Sequence, residues 1–368
     1  MAPCTPDDLP LANLDWRSLL PLAGRANAAL ARYDGMLQTL PNPAVLLSPI
    51  TVNEAVLSSR IEGTQATLDE VLEFDAGMES ADVRRGDIEE ISNYRAAVQG
   101  AEDALVDRPL SLGLIRAAHQ RLMQGVRGRD KEPGTFRTDQ NWIGRHGDPI
   151  DRARFVPPSP LMLQGALENW ERFLQAEGED PILQTAIAHA QFEILHPFKD
   201  GNGRIGRMLI PLLLYRRGAL SRPMFYMSEY LEANRAEYYD RLLAITEAGD
   251  WEGWLRFFVN ALIAQAESNL EKVRSVRDLY EAMRRDFVEV THSQYAMAAV
   301  DAFFMRPVIP APAFAQAAGF NNRVTANNML RQLNDAGLIA RVREGGGRVA
   351  AIYALPQLIN ITEGRRVL

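Results

Sequence analysis

The stretch HPFKDGNGRIGRMLI, residues 196–210, gathers a histidine, an aspartate, three glycines and two arginines within twelve positions and then runs into apolar residues. His196 has the pKa range of a proton acceptor near neutrality. Asp200 offers hard oxygens for a Mg²⁺ that bridges phosphates. Gly201, Gly203 and Gly206 permit conformations closed to other residues, and Pro197 ends the helix before them. The open N–H groups of the helix that follows would face an anion. Arg204 and Arg207, three apart, share one face of that helix, where two planar guanidinium groups can hold successive phosphates of a polyphosphate. Base, metal ligand and anion cradle together suit attack on a phosphorus atom.

Simpler chemistries fit less well. The glycines spell GxGxxG, but a dinucleotide site needs a strand just before them and an acid on a second strand about 20 residues later. PILQTAIAHAQFEILHPF instead has helical periodicity and few β-branched residues. His189 and His196 lie seven apart with no cysteine and no HExxH arrangement, so zinc spacing is missing. Taken singly, the histidine could be a satisfied histidine, the aspartate a helix cap and the arginines a solvated face. Their coincidence in twelve residues favours a site.

The elements that must position these groups are mostly helices. Apolar residues three and four apart predict helices over 17–40, 52–61, 67–75, 88–106, 110–124, 162–175 and 182–195. A buried helix should follow the glycines, then a helical stretch over 232–248 and a long amphipathic segment from Trp251 to about Val290. Between them, PGTFRTDQNWIGRHGDPIDRARFVPPSP interleaves apolar and polar residues around the turn signal RHGDP and predicts a β-hairpin.

Composition sets outer limits. At 47% hydrophobic and 24% charged over 368 residues, the chain can build two or more globular domains. One cysteine, Cys4, excludes a disulfide framework and a cysteine metal site, and it suits a reducing compartment. No basic start followed by an apolar core and no run of about 18 apolar residues is present, so a cytoplasmic address and no membrane partner are expected. A net charge of −7 argues against nucleic-acid binding by the whole chain, yet residues 301–360 carry six arginines against three acids.

HPFKDGNGRIGR resembles the Fic family signature HPFx(D/E)GNGRxxR and fills it at every motif position. The resemblance extends to SSRIEGTQATLDEVLEF at 58–74 and to GTFRTDQNWIG with ARFVPP, in the order and spacing seen in Fic proteins. It implies a protein adenylyltransferase that moves AMP from ATP to a Ser, Thr or Tyr hydroxyl of a target protein, itself included, with release of pyrophosphate. His196 would then be the general base and Asp200 the Mg²⁺ ligand. Gly201, Asn202, Gly203, Arg204, Ile205, Gly206 and Arg207 would form the ATP-binding segment, its first three residues serving as anion hole and Arg207 orienting the γ-phosphate. Tyr238 matches a position beside the nucleotide in relatives, although a plain core aromatic fits equally. Trp142, Ile143 and Gly144 resemble the flap that pairs with the target peptide.

SSRIEG resembles the family's inhibitory motif [S/T]xxxE[G/N], matched by Ser58, Glu62 and Gly63 on a helix at about 51–63. The resemblance implies that Glu62 pairs with Arg207 and excludes the γ-phosphate. Three alternatives stay open: removal of AMP by the same site, a different nucleotide or phosphodonor, and a transcriptional regulator that only senses ATP.

The last module, PAPAFAQAAGFNNRVTANNMLRQLNDAGLIARVREGGGRVAAIYAL, orders a short helix, a turn at Gly319, a second helix ending at Gly337 and two β-like runs joined by EGGGR. That order is a winged helix-turn-helix, with Arg323, Asn327, Asn328 and Arg331 on the helix that enters a major groove in DNA-binding members. Other such modules bind protein or dimerise, and a homo-oligomer is compatible with the pattern. The expected fold is mainly α: a helical region over 1–109, a Fic core with a hairpin flap over 110–250, a linking helix over 251–290 and a winged-helix domain over 291–368.

Overall fold

The structure, a computed structural model, describes residues 2–12, 14–78, 82–125, 129–144, 147, 149–346 and 349–367. Its helices are α1 (Trp16–Thr39), α2 (Pro43–Leu46), α3 (Ser48–Ile61), α4 (Leu68–Asp75), α5 (Asp82–Leu105), α6 (Leu112–Leu122), α7 (Pro160–Gln175), α8 (Pro181–Leu195) and α9 (Asn202–Arg216). Then come α10 (Ser228–Ala233), α11 (Arg235–Ala248), α12 (Trp251–Thr291) and α13 (Ala296–Met305), followed by β1 (Val308–Pro310), α14 (Ala311–Ala317), α15 (Arg323–Asp335), β2 (Ala340–Arg343), β3 (Ile352–Ala354) and α16 (Pro356–Glu363). No helix among the described residues is long and apolar enough to cross a membrane.

The chain divides into two compact units. One comprises residues 1–34, 57–64 and 89–267, and α8 is its centre. Asp180 caps α8 by accepting from the N–H groups of Ile182 and Leu183, and Pro181 starts it with the φ a helix needs. Nearly every side chain from Ile182 to Leu195 is buried, because α7, α9 and α11 pack against it. Small Ala186 and Ala188 let tryptophans approach the helix backbone: Trp254 Nε1–H donates to the Ala186 carbonyl at 2.9 Å and Trp170 Nε1–H to that of Ala188 at 2.8 Å. A helix buried along nearly its whole length therefore ends just before the first residue of the glycine-rich motif.

The expected hairpin is reduced to one antiparallel bridge among the described residues, Ile143 with Phe155, followed by no ladder. A 3₁₀ turn at Ile150–Arg152 and prolines at 149, 157 and 158 interrupt the pairing that alternation alone suggested. Arg145, His146 and Asp148 of its turn lie outside the described residues. The stretch 232–248 also differs from expectation: Asn234, at φ −114°, ends α10 and caps α11.

The second unit combines residues 35–56 and 65–88 with 268–368. Segments near the start of the chain thus belong to the same unit as its end, with α2 against α13 and α4 against β1. Phe303, Phe314 and Phe287 make its aromatic core. The sheet order is β1–β3–β2, antiparallel throughout, with Val308 opposite Ala354 and Ala340 opposite Ala354 on the other side. Gly319 and Gly337, both at positive φ, end α14 and α15 where the sequence placed those turns. The short β1 was not foreseen, being only three residues between prolines. Gly347 and Arg348 of EGGGR lie outside the described residues.

Candidate active site

His196 is the residue that closes α8. Its backbone is left-handed, at φ 45° and ψ 59°, a conformation that costs a non-glycine residue roughly 1–3 kcal/mol. Arg137 holds it there. This buried guanidinium donates from Nε to the His196 carbonyl at 2.9 Å, from Nη2 to the carbonyls of Pro158 and Leu195 at 2.6 and 3.3 Å, and from Nη1 to that of Asp139 at 3.2 Å. Its own N–H donates to the Pro197 carbonyl. Burial, opposed by the charge of Glu62 and the carbonyl of Glu193, pushes the His196 imidazole down to about 4, so the ring is neutral near pH 7. Its Nδ1 has no hydrogen-bond partner among the described residues.

The loop after His196 is tied from below. Phe198 is fully buried and stacks on His119, ring centroids 3.7 Å apart. The Gly134 N–H donates to His119 Nδ1 at 2.9 Å, so the ring proton sits on Nε2 and is donated to the Asp200 carbonyl at 3.0 Å. Burial pushes this imidazole down to about 4, which keeps it neutral, and the two hydrogen bonds fix its tautomer. Asn202 closes the turn: its Oδ1 accepts from the Phe198 N–H and its Nδ2 donates to the Phe198 carbonyl, both at 2.8 Å. Gly201, at φ 77°, then starts α9.

Arg207, in the second turn of α9, is 2% exposed. Its Nε donates to Ser58 Oγ at 3.0 Å, and its Nη2 donates to the Ser58 carbonyl at 2.8 Å and to Glu62 Oε1 at 2.7 Å. Its Nη1 has no partner among the described residues. Burial opposes ionisation of Glu62, but the charge and hydrogen bond of Arg207, with Arg204 and His196, outweigh it and hold the carboxyl below its usual range. Gly63, at φ 106°, turns the chain away just after Glu62. A Cβ on Gly203 would lie 2.1 Å from Glu62 Oε1, so the carboxylate rests on the first turn of α9, where open N–H groups and the helix dipole favour an anion.

A cavity of about 850 Å³ opens over these groups. His196, Gly203, Arg207 and Glu62 line it on one side, and Tyr239, Leu242 and Leu243 of α11 on another. Trp142, Ile143 and Gly144 border it, with Trp142 42% and Ile143 38% exposed. Tyr238 does not. It is wholly buried, donating its hydroxyl proton to His189 Nε2, because His189 Nδ1–H is committed to the Gly206 carbonyl. Its neighbour Tyr239 is the tyrosine of α11 that faces the cavity. Ile205 turns its side chain into the core. Arg204 donates to Glu90 at 3.1 Å and lies 3.6 Å from Asp200, and neither Arg204 nor Asp200 lines the cavity.

The Fic/DOC family N-terminal model matches residues 20–103 and the Fic/DOC family model residues 109–214, together just over half of the chain. The chain belongs to the Fic/DOC family. Similar curated Fic proteins include the protein adenylyltransferase Fic of Aedes aegypti, 32% identical over 176 residues, which are 46% of this chain and 32% of that protein. The protein adenylyltransferase fic-1 of Caenorhabditis elegans is 32% identical over 166 residues, 44% of this chain and 28% of that one. The chain thus matches about a third of the length of these relatives. A Fic family protein from Desulfovibrio desulfuricans G20 shares the fold over 94% of this chain and 97% of that one, with TM-score 0.60 at 21% identity. C. elegans Fic-1 does so over 71% and 74%, with TM-score 0.53 at 21% identity.

Sequence reasoning gave no role to four groups of this Fic site: Arg137, His119, Glu193 and Tyr239. Arg137 stands in GTFRTD with no acid beside it, and only the carbonyls it meets reveal its role. Glu193 stands one turn before His196 and lines the cavity with one carboxyl oxygen unpartnered, and burial pushes its carboxyl up to about 8 despite Arg207.

Proposed function

We propose that this Fic protein is a protein adenylyltransferase that transfers AMP from ATP to a Ser, Thr or Tyr hydroxyl of a target protein. The observation that carries this reading is the shared cavity of about 850 Å³: a neutral His196, Gly203 in the first turn of α9 and Arg207 open into the same space. The target hydroxyl oxygen attacks the α-phosphorus, its proton passes to His196, and the bond to the β-phosphate oxygen breaks to release pyrophosphate. The N–H groups of α9 and Arg207 take up the charge of the leaving group. Leu242, Leu243 and Tyr239 offer the nucleobase an apolar wall. Backbone pairing along Trp142–Gly144 would bring the hydroxyl into register with the base.

Asp200 would hold Mg²⁺ through the carboxyl oxygen that is unengaged among the described residues, the other accepting from the Gly201 N–H; its side chain is 49% exposed and stands outside the cavity lining, in the loop that leads into α9. The ion would neutralise charge on the α- and β-phosphates when bound.

Glu62 acts as an internal brake. It neutralises Arg207 and covers Gly203, the two places a γ-phosphate would use, so ATP must displace it to bind productively. Incubation with ATP labelled in the α-phosphate tests the activity: covalent label on protein supports transfer, whereas loss of label from already modified protein would support AMP removal by the same site.

A further inference from the structure

α14, the turn at Gly319 and α15 form a helix–turn–helix, and the β2–β3 arm stands beside α15. Ala326, Met329, Leu330 and Leu333 bury one face of α15 and fix its orientation. The opposite face exposes Arg323, Val324, Asn327, Asn328 and Arg331, and no acid occurs on the helix before Asp335 at its last residue. Arg331 Nη2 donates to Asn328 Oδ1 at 3.0 Å, so the two side chains are held together on this exposed face. A groove of about 640 Å³ runs between α15 and the arm, lined by Arg323, Asn327, Arg331 and Arg341 and by two acids, Asp335 and Glu344, the latter paired to Arg341. Gly346 and Val349 exchange reciprocal backbone hydrogen bonds within the arm.

We propose that this surface binds duplex DNA, with α15 in the major groove and the β2–β3 arm against the flanking backbone. A helix of this exposure fits the width of that groove. The side chains it presents are those that read base edges: Arg331 for guanine, Asn327 and Asn328 for adenine, and Val324, 65% exposed, for the thymine methyl. Arg323 sits at the start of α15, where the helix meets phosphate. Among the described residues the exposed large apolar side chains here are Val324 and Val349, too little for the apolar centre of a stable protein interface. The chain's net charge of −7 adds no general attraction to DNA, so binding rests on this local surface, where residues 301–360 carry six arginines against three acids.

The test is selection by the full-length chain from a pool of duplexes with randomised centres, followed by fluorescence anisotropy on an enriched and a scrambled duplex. A sequence motif should emerge. Arg331→Ala and Asn328→Ala should each weaken binding to the enriched duplex by about tenfold or more while leaving the scrambled duplex unchanged. Arg323→Ala should weaken both and lower the slope of log K against log salt by about one. Val324→Glu, at a solvent-exposed position, should abolish binding by setting a carboxylate against the groove. Circular dichroism and ATP binding verify that each variant is folded. A pool that does not enrich, or an enriched duplex that folded Arg331→Ala/Asn328→Ala protein binds as well as wild type does, overturns the proposal. So does crosslinking of α15 to a protein partner in place of DNA.

Discussion

Arg207 donates to Glu62 across 2.7 Å inside the cavity that His196 also lines. Arg207 is fixed by three further features: burial, the Ser58 hydroxyl and the Ser58 carbonyl. Glu62 is held by less, since its side chain is one-third exposed and the turn at Gly63 follows it directly. Under the proposed brake, competition for the guanidinium would move Glu62 and leave Arg207 in place. A buried, immobile cation with a displaceable anion is the arrangement an ATP-operated brake requires.

His196→Ala removes the base without touching the cradle. The variant should fold and bind ATP with near wild-type affinity while transfer falls by about 100- to 10,000-fold, measured as label incorporated per minute. Near wild-type labelling would show that another group takes the proton.

The pH dependence of kcat/KM follows from burial of the same ring. A base works only when unprotonated, and His196 is unprotonated above its pKa, which burial lowers from 6.5 to about 4. Transfer should therefore stay level from neutrality down to about pH 5, where a solvated imidazole would have lost most of its activity. Because the charge of Glu62 raises the His196 value, Glu62→Gly should move the acid limb lower still. An acid limb near 6.5 would mean that the ring is solvated in the working enzyme.

Arg137→Lys keeps a cation but cannot reach all the carbonyls that the guanidinium serves. His196 should lose its fixed left-handed pose, lowering kcat by about 10- to 100-fold with little change in the KM for ATP. Carbonyls left without donors should also lower the melting temperature. A fall in stability with kcat unchanged would restrict Arg137 to a structural role.

Gly203→Ala tests the cradle. A methyl group there would meet Glu62 Oε1 at 2.1 Å and project over the first turn of α9. Placed in Glu62→Gly protein, where that clash is absent, it should still weaken ATP binding, as read by calorimetry. Unchanged affinity would place the phosphates elsewhere.

Much of this was legible in the sequence because it was local. The helices around the motif follow apolar periodicity, and His196, Gly203 and Arg207 lie within one turn-and-helix whose geometry glycine and proline dictate. Glu62 was found only through the resemblance of a second short motif, since nothing in its composition announces a partner 145 residues away. Tyr238 and Tyr239 differ by one position, about 100° around a helix, and only the packing of α11 on α8 decides which faces the cavity. The flap misled because alternation predicts strands, while pairing length depends on prolines and turns that break the ladder. The membership of residues 35–56 and 65–88 in the same unit as the end of the chain has no sequence signal at all.

If transfer runs through His196 and is restrained by Glu62 on Arg207, covalent labelling from ATP labelled at the α-phosphate reads both at once. Glu62→Gly should exceed wild type by about tenfold or more, since a charge-assisted hydrogen bond contributes roughly 1.5–3 kcal/mol. Adding Arg207→Ala should cancel that gain, because the two changes share one interaction, and adding His196→Ala should abolish labelling. Labelling by folded, ATP-binding Glu62→Gly protein at or below the wild-type level would show that Glu62 does not restrain transfer.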